Sequence, residues 1–273
     1  MASEGRVLGT VIRWLSLVAV VLVCTCSFYR QNSLYAQSAS SLPALVPPPL
    51  SYSFPVKQTL NYAVDWRVFP AGTGSIHLEQ LGDTIKVTAS GETIEALNLL
   101  FRVSDKFESS FDRKTGCSYG FSKQIVEGKR QVHTDLKFDY SQHKSFQQEK
   151  NLVSGITKRE EATIPGCVTD LLSGIFYSAS QPMEAGQSFQ LPLADALHTM
   201  PVTMKGLARE EVKTPAGTYQ TIKVQPTADS GVVKSKGEIW IWYTDDARHL
   251  PVQMRARLFW GTLTMRLTGI ESK

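Results

Sequence analysis

Val252, Met254, Ala256, Leu258 and Trp260 alternate with Gln253, Arg255 and Arg257. Successive side chains of a strand point to opposite faces, so this period of two predicts a strand with one wet face. The preceding run, Ile239-Trp240-Ile241-Trp242-Tyr243, is apolar in both phases and predicts a strand covered on both sides. Leu60, Tyr62, Val64, Trp66 and Val68 alternate in the same way with Asn61, Asp65 and Arg67. Turn signals follow at Pro70-Ala71-Gly72, Leu81-Gly82-Asp83, Asp112 to Gly116, Glu127-Gly128-Lys129 and Tyr140 to His143. Their spacing, about 8–12 residues, is that of a meandering antiparallel sheet or barrel. Thr214-Pro215-Ala216-Gly217 adds a turn in which Pro pre-sets one dihedral and Gly supplies a positive one. At Gly261 the inward phase changes from even to odd positions (Leu263, Met265, Leu267), which predicts a C-terminal hairpin.

Helical period dominates one segment. Leu171, Leu172, Ile175, Phe176 and Ala179 make one apolar stripe, Thr169 or Asp170 can cap its start, and Pro182 ends it. Ile94 to Leu100 has the pattern of a helical turn or two at a sheet edge. The expected fold is therefore mainly β. It is a single curved antiparallel sheet, or half-open barrel, with the helix Asp170 to Ala179 lying across its concave side.

The N-terminus reads differently. Arg6 and Arg13 flank a positive region, Trp14 to Val23 is an apolar core, and Ala36-Gln37-Ser38 places small residues at a cleavage position. That order is a secretory signal peptide over residues 1–38. Two alternatives stay open: a retained inner-membrane anchor, if Arg13 snorkels, and a lipoprotein acylated at Cys24 or Cys26. Residues 39–55, with five prolines between Leu42 and Pro55, are expected as a stiff spacer. Residues 56–273 form one antiparallel β domain. The expected location is periplasmic, with membrane contact only through the N-terminus.

Charge excludes one class of partner. The formal net charge of +4 falls to about +2 once Arg6, Arg13, Arg30 and Glu4 leave with the signal. The remaining cations are scattered, so no nucleic acid is expected. Cys117 and Cys167 remain in the mature chain. In an oxidising compartment they could pair, closing a loop whose cross-link stabilises by about 3–4 kcal/mol, or stay two free thiols.

The segments VTDLLSGIFY, KTPAGTYQTIKVQP and GEIWIWYTDDARHLPVQMRARLFWGTLTMRL, in that order, resemble the secreted bacterial family catalogued as domain of unknown function 3108 (DUF3108). Asp170 and Ser173, Pro215 to Thr218, and Trp242 through Pro251 carry the likeness, which extends from Phe54 to the C-terminus. The resemblance implies an exported, mostly antiparallel β protein of the cell envelope. It is distantly similar to lipoprotein-carrier half-barrels, in which a curved sheet wraps a helix over an apolar groove. It implies no catalytic residue.

Two groups of residues are candidate sites. Trp66, Phe176, Tyr177, Trp240, Trp242 and Trp260 could line a groove for a lipid-like ligand, or simply pack the core. Asp245, Asp246, Arg248 and His249 fall within one hairpin loop. They could serve proton transfer or cation binding, or hold the turn, with Asp245 as the turn acceptor and Asp246 the more exposed acid. His77 with Glu79 and His133 with Asp135 could each begin a metal site but would need at least a third ligand, so no metal and no cofactor is expected. No nucleophile, base and orienting group can be assembled, and the chain is not expected to be an enzyme; a hydrolase is the weakest reading. The expected function is non-enzymatic binding of an apolar or amphipathic ligand, lipid or lipoprotein-like, in a half-barrel groove. The alternative is an assembly role toward another envelope protein through exposed strand edges.

Overall fold

The first strand, β1 (Lys57–Trp66), and the last, β14 (Gly261–Ser272), pair antiparallel in the middle of the sheet. From this seam the chain runs outward one way and returns from the other. The outward half is β2 (Phe69–Leu81), β3 (Thr84–Thr93), β4 (Ser104–Asp112), β5 (Ser118–Glu127), β6 (Arg130–Asp139), β7 (Lys144–Asn151) and β8 (Thr157–Thr163). The returning half is β9 (Ser188–Asp195), β10 (His198–Thr214), β11 (Gly217–Thr227), β12 (Glu238–Thr244) and β13 (Pro251–Leu258). All fourteen strands belong to one sheet, in the order β8 to β1, then β14 to β9. The computed structural model describes residues 42–98, 102–235, 237–258 and 261–272. The signal reading of residues 1–38 and the candidate Trp260 lie outside them.

Period-two burial explains the sheet's two faces. Leu60 and Tyr62 on β1, Ile76 and Leu78 on β2, Phe107 and Phe111 on β4, and Val252 on β13 are all buried, while their chain neighbours are more exposed. The sheet curls because inward residues from both halves share one core. Ile85, Phe111, Val252 and Leu267 join one apolar cluster around Leu172 and Phe176 of the helix α2 (Leu171–Ser180), the second helix after the single turn α1 (Glu95–Asn98). Bulges at Val64/Asp65 and Gly206/Ala208 add local bend.

The sheet is closed between β5 and the edge strand β9. The segment preceding α2 bridges them: Ser118 N–H donates to the Val168 carbonyl (2.8 Å), Thr169 N–H to the Pro192 carbonyl (2.8 Å), and Ala194 N–H to the Thr169 carbonyl (2.7 Å). A connector thus ties β5 to β9, while β7 and β8 extend past it, β8 exposed along nearly its whole length. Cys117 and Cys167 form a disulfide beside this bridge, Cα–Cα 5.1 Å.

Helix α2 runs inside, with eight of its ten residues buried. Asp170 is its N-cap: Oδ1 accepts from Leu172 N–H (2.9 Å) and Ser173 N–H (3.0 Å), and the Ser173 hydroxyl accepts from Asp170 N–H, a reciprocal capping box. Its Oδ2 also accepts from the hydroxyls of Ser109 and Ser118, both at 2.6 Å, which fastens the helix start to β4 and β5. Burial raises the Asp170 carboxyl above its ordinary range, against the pull of these four donors. At the other end, Gly206 lets the loop before β9 cross β10 at contact distance, since a Cβ there would stand 2.1 Å from the Glu184 carbonyl oxygen. Beyond that bend the β10–β11 hairpin folds back, bringing Val212 into the main core and the Ala216 N–H to the Leu267 carbonyl.

The described part of the proline-rich stretch, expected as a stiff spacer, is docked on the domain. Phe54 is buried in the main core, and Val46 and Tyr52 contact α2 and His249. Aromatic and aliphatic residues between the prolines give it surface to bury; the prolines keep it extended as it does so.

Candidate functional site

Antiparallel register sorts the barrel into two ends. One end holds the β2–β3, β4–β5 and β12–β13 connections, and there Leu60, Ile85, Phe111 and Leu250 pack solidly under Phe54. The opposite end holds the β1–β2, β5–β6 and β13–β14 connections, α1 and α3 (Gly231–Ser235). Here the barrel is hollow. A cavity of about 200 Å³ lies between the two halves of the sheet, bounded on one side by the first half of α2.

Small residues create the space. Gly74 on β2 faces Gly91 on β3 in register, with Gly72 and Ala89 beside them. A Cβ on Gly91 would meet no heavy atom within 4 Å, so nothing fills the position its side chain would take. Larger aliphatic side chains make up the rest of the wall, among them Ile175, Met204, Ile241, Met254 and Met265. Such a wall repels water and gives an alkyl chain a flexible, polarisable surface.

One buried ionisable side chain interrupts this wall. Asp105 lies on β4 in phase with the inward Phe107, Ser109 and Phe111, and only 3% of its surface is exposed. Its Oδ1 accepts from the Val126 N–H at 2.9 Å. Burial pushes its carboxyl up to about 7, opposed by that hydrogen bond and by the Arg130 charge. Glu127, also buried, lies nearby on β5, 3.7 Å from Arg130. The Thr93 hydroxyl, also at the wall, already accepts from Val103 N–H.

The expected aromatic groove is not this cavity. Phe176, Tyr177 and Trp242 are buried in packed clusters, and neither they nor Trp66 and Trp240 line the space. Trp240 and Trp242 instead carry cations on the sheet's other face: Lys223 lies over both rings, Arg255 over Trp242 and Arg257 over Trp240, at 5.1–5.7 Å. Trp242 Nε1 donates to Glu210 (2.9 Å), and Arg67 covers the half-buried Trp66. A large aromatic residue fills the volume it faces, so aromatic richness marks core; the void sits where side chains are small.

The polar loop is a closed structural unit at the packed end, with the turn-acceptor role exchanged from Asp245 to Asp246. Asp246 is still the more exposed acid, its side chain 39% exposed against 30%. Asp246 is the turn acceptor, receiving Thr244 Oγ1 (2.8 Å) and the Arg248 N–H (3.0 Å), Nε (3.0 Å) and Nη2 (2.6 Å). Asp245 pairs outward with Arg209 at 2.7 Å. The exchange follows from the backbone, since Thr244 and Leu250 bond each other and thereby turn Asp246 into the loop. His249 bonds the Ala179 carbonyl at the end of α2 (2.7 Å) and stacks on Tyr52. The loop does not touch the cavity. His77 meets Thr59, and His133 meets Asp135; among the described residues no three His, Cys, Asp or Glu converge to hold a metal. No helix among the described residues is long and apolar enough to cross a membrane.

Comparison with known proteins agrees with the architecture. The model of a protein family of unknown function, DUF3108, matches residues 61–268. A β-barrel-like protein of the domain of unknown function DUF1849 from Brucella abortus is similar in structure, with a TM-score of 0.51 at 12% identity, covering 80% of this chain and 98% of that one. A Bacteroides fragilis protein of YmcC-like fold, described as exported only provisionally, matches at TM-score 0.37 and 10% identity, over 81% of this chain and 98% of its own. No curated protein matches the chain.

Proposed function

The chain belongs to the DUF3108 family, whose description assigns no activity, and from its cavity we propose that it is a non-enzymatic binder of an apolar or amphipathic, lipid-like ligand. The carrying observation is the hollow half of the barrel, about 200 Å³ of space under an almost wholly apolar wall. An engineered apolar cavity of about 150 Å³ stays dry and takes up benzene, so a space of this size is a competent apolar site. It has room for roughly seven water-sized groups, which fits one alkyl chain and excludes a whole two-chain lipid. At about 0.8 kcal/mol per buried methylene, such a chain contributes about 5–6 kcal/mol. That alone corresponds to a Kd near roughly 0.1 mM.

We place the protein outside the cytoplasm, in the periplasm, with the N-terminal segment as its address. The signal-like pattern of residues 1–38 supports this, as does the Cys117–Cys167 disulfide, which suits an oxidising compartment. The alternative, an assembly partner at a strand edge, has weaker support. The β8 edge carries Lys158, Arg159, Glu160 and Glu161, and charge on an edge discourages strand addition.

The test uses Gly91→Leu, which places a side chain in open cavity space without a positive-φ conflict. The purified full chain should bind the uncharged fluorophore N-phenyl-1-naphthylamine and release it to added octanol. The variant should melt at least as high as the parent and lose the probe. A parent that takes no probe, or a variant that binds it equally well, would overturn the proposal.

A further inference from the structure

Resting on the cavity reading above, we infer that the preferred ligand is a single-chain amphiphile with an ammonium head seated on Asp105. Asp105 is buried at the wall of an apolar cavity, on an inward position of β4, and its Oδ1 is oriented by the Val126 N–H. Its Oδ2 has no hydrogen-bond donor among the described residues. Strand alternation turns Lys106 to the exposed face; Lys123, in the inward phase of β5 opposite Phe107, is half-exposed and gives Asp105 no hydrogen bond.

The charge of this corner selects the head. Arg130 is the cation that acts on Asp105 and lies 3.7 Å from Glu127; Lys123 shares the inward phase of β5, and Arg102, on the connection before β4, is exposed. With Asp105 ionised the cavity wall carries a buried negative charge, which an ammonium neutralises and a carboxylate would raise. A hydroxyl head could donate one hydrogen bond but brings no charge. Charge-assisted bonds are about twice as strong as neutral ones, and burial removes the water that would weaken them. The alkyl tail then runs past Gly91 and Gly74 toward Met265 and Met254.

The chemistry has two sources, a simple long-chain amine or the ethanolamine head of a one-chain phospholipid. The second brings a phosphate toward the Asp105 carboxylate, so the simple amine should bind better. Displacement of N-phenyl-1-naphthylamine from the full chain at pH 8 by octylamine, octanol, octanoate and a single-chain octanoyl phosphatidylethanolamine separates the cases. Octylamine should be about 10-fold or more tighter than octanol, with octanoate weakest and the phospholipid between them. Asp105→Asn should reduce octylamine to the level of octanol while leaving octanol unchanged, which also shows that the variant keeps its cavity. Equal affinity of octylamine and octanol in the parent overturns this inference and leaves the apolar site standing. Displacement by none of the four removes the site itself. Should Asp105→Asn fail to fold, the ranking of heads in the parent still decides.

Discussion

The Tyr177 hydroxyl donates to the Val46 carbonyl at 2.9 Å and accepts from the Val46 N–H at 3.0 Å. Two residues 131 positions apart thus exchange a complete pair of hydrogen bonds, and Gln181 adds a third to the same carbonyl at 3.3 Å. Below this clamp, Tyr52 meets Phe54 edge-on at 5.1 Å, and Phe54 meets Phe111 at 5.5 Å. The proline-rich strap, α2 and the β12–β13 loop therefore share one junction at the packed end.

Tyr177→Phe removes both bonds to Val46 and keeps the ring. At about 0.5–1.5 kcal/mol per hydrogen bond, the loss should be about 1–2 kcal/mol and lower the melting midpoint by about 2–4 °C per kcal/mol. Limited proteolysis should cut residues 42–55 faster, while probe binding in the cavity stays as it was. Cleavage at the parental rate would mean that the core aromatics hold the strap without the clamp.

The polar loop makes a contrast between neighbours. Asp246→Ala frees the Arg248 and Thr244 donors and should cost about 1–2 kcal/mol. Asp245→Ala breaks one solvent-facing pair with Arg209, worth at most about 1 kcal/mol. Burial raises the Asp246 carboxyl, but bonds from Arg248 and Thr244 outweigh it and hold the group below the ordinary carboxylate range. A depressed native value stabilises above the unfolded value and is lost as pH falls through the native one. The Asp246→Ala deficit should therefore be full at pH 7 and fade in acid below about pH 4. Thermal melts of both variants at pH 7 and pH 3 check this, and a larger deficit for Asp245→Ala would refute the assignment.

Where a pattern is local, the sequence carried the structure. Alternation marks β1 and β13, the reversal at Gly261 opens β14, and Asp170 caps α2 where its stripe begins. The β1–β14 pairing is not local, since nothing in either strand names its partner, and the closure by Val168 and Thr169 depends on it. The cavity was harder still. Gly72, Gly74, Ala89 and Gly91 carry little hydrophobic signal, and a void is defined by atoms that are absent. Asp105 precedes Lys106 in a strand reading Ser-Asp-Lys-Phe-Glu, so it passes for a residue of the wet face until the phase of Phe107 and Phe111 is known.

Asp105 also leaves a signature in stability. Its carboxyl is raised by burial to about 7 in the folded protein, from about 3.9 when unfolded. The folded state then binds a proton that the unfolded state has released between those values. Stability from this group is full below about pH 4, falls through the interval, and is gone above about pH 7. Three pH units set a ceiling of about 4 kcal/mol. Asp105→Asn keeps an acceptor for the Val126 N–H and cannot ionise. It should melt close to the parent at pH 4 and above it at pH 8, the gap widening steadily between. All other groups titrate in both proteins, so the difference isolates Asp105. A gap that stays constant from pH 5 to pH 8 would show that the carboxylate is already ionised across the range and is held by a cation in the empty protein.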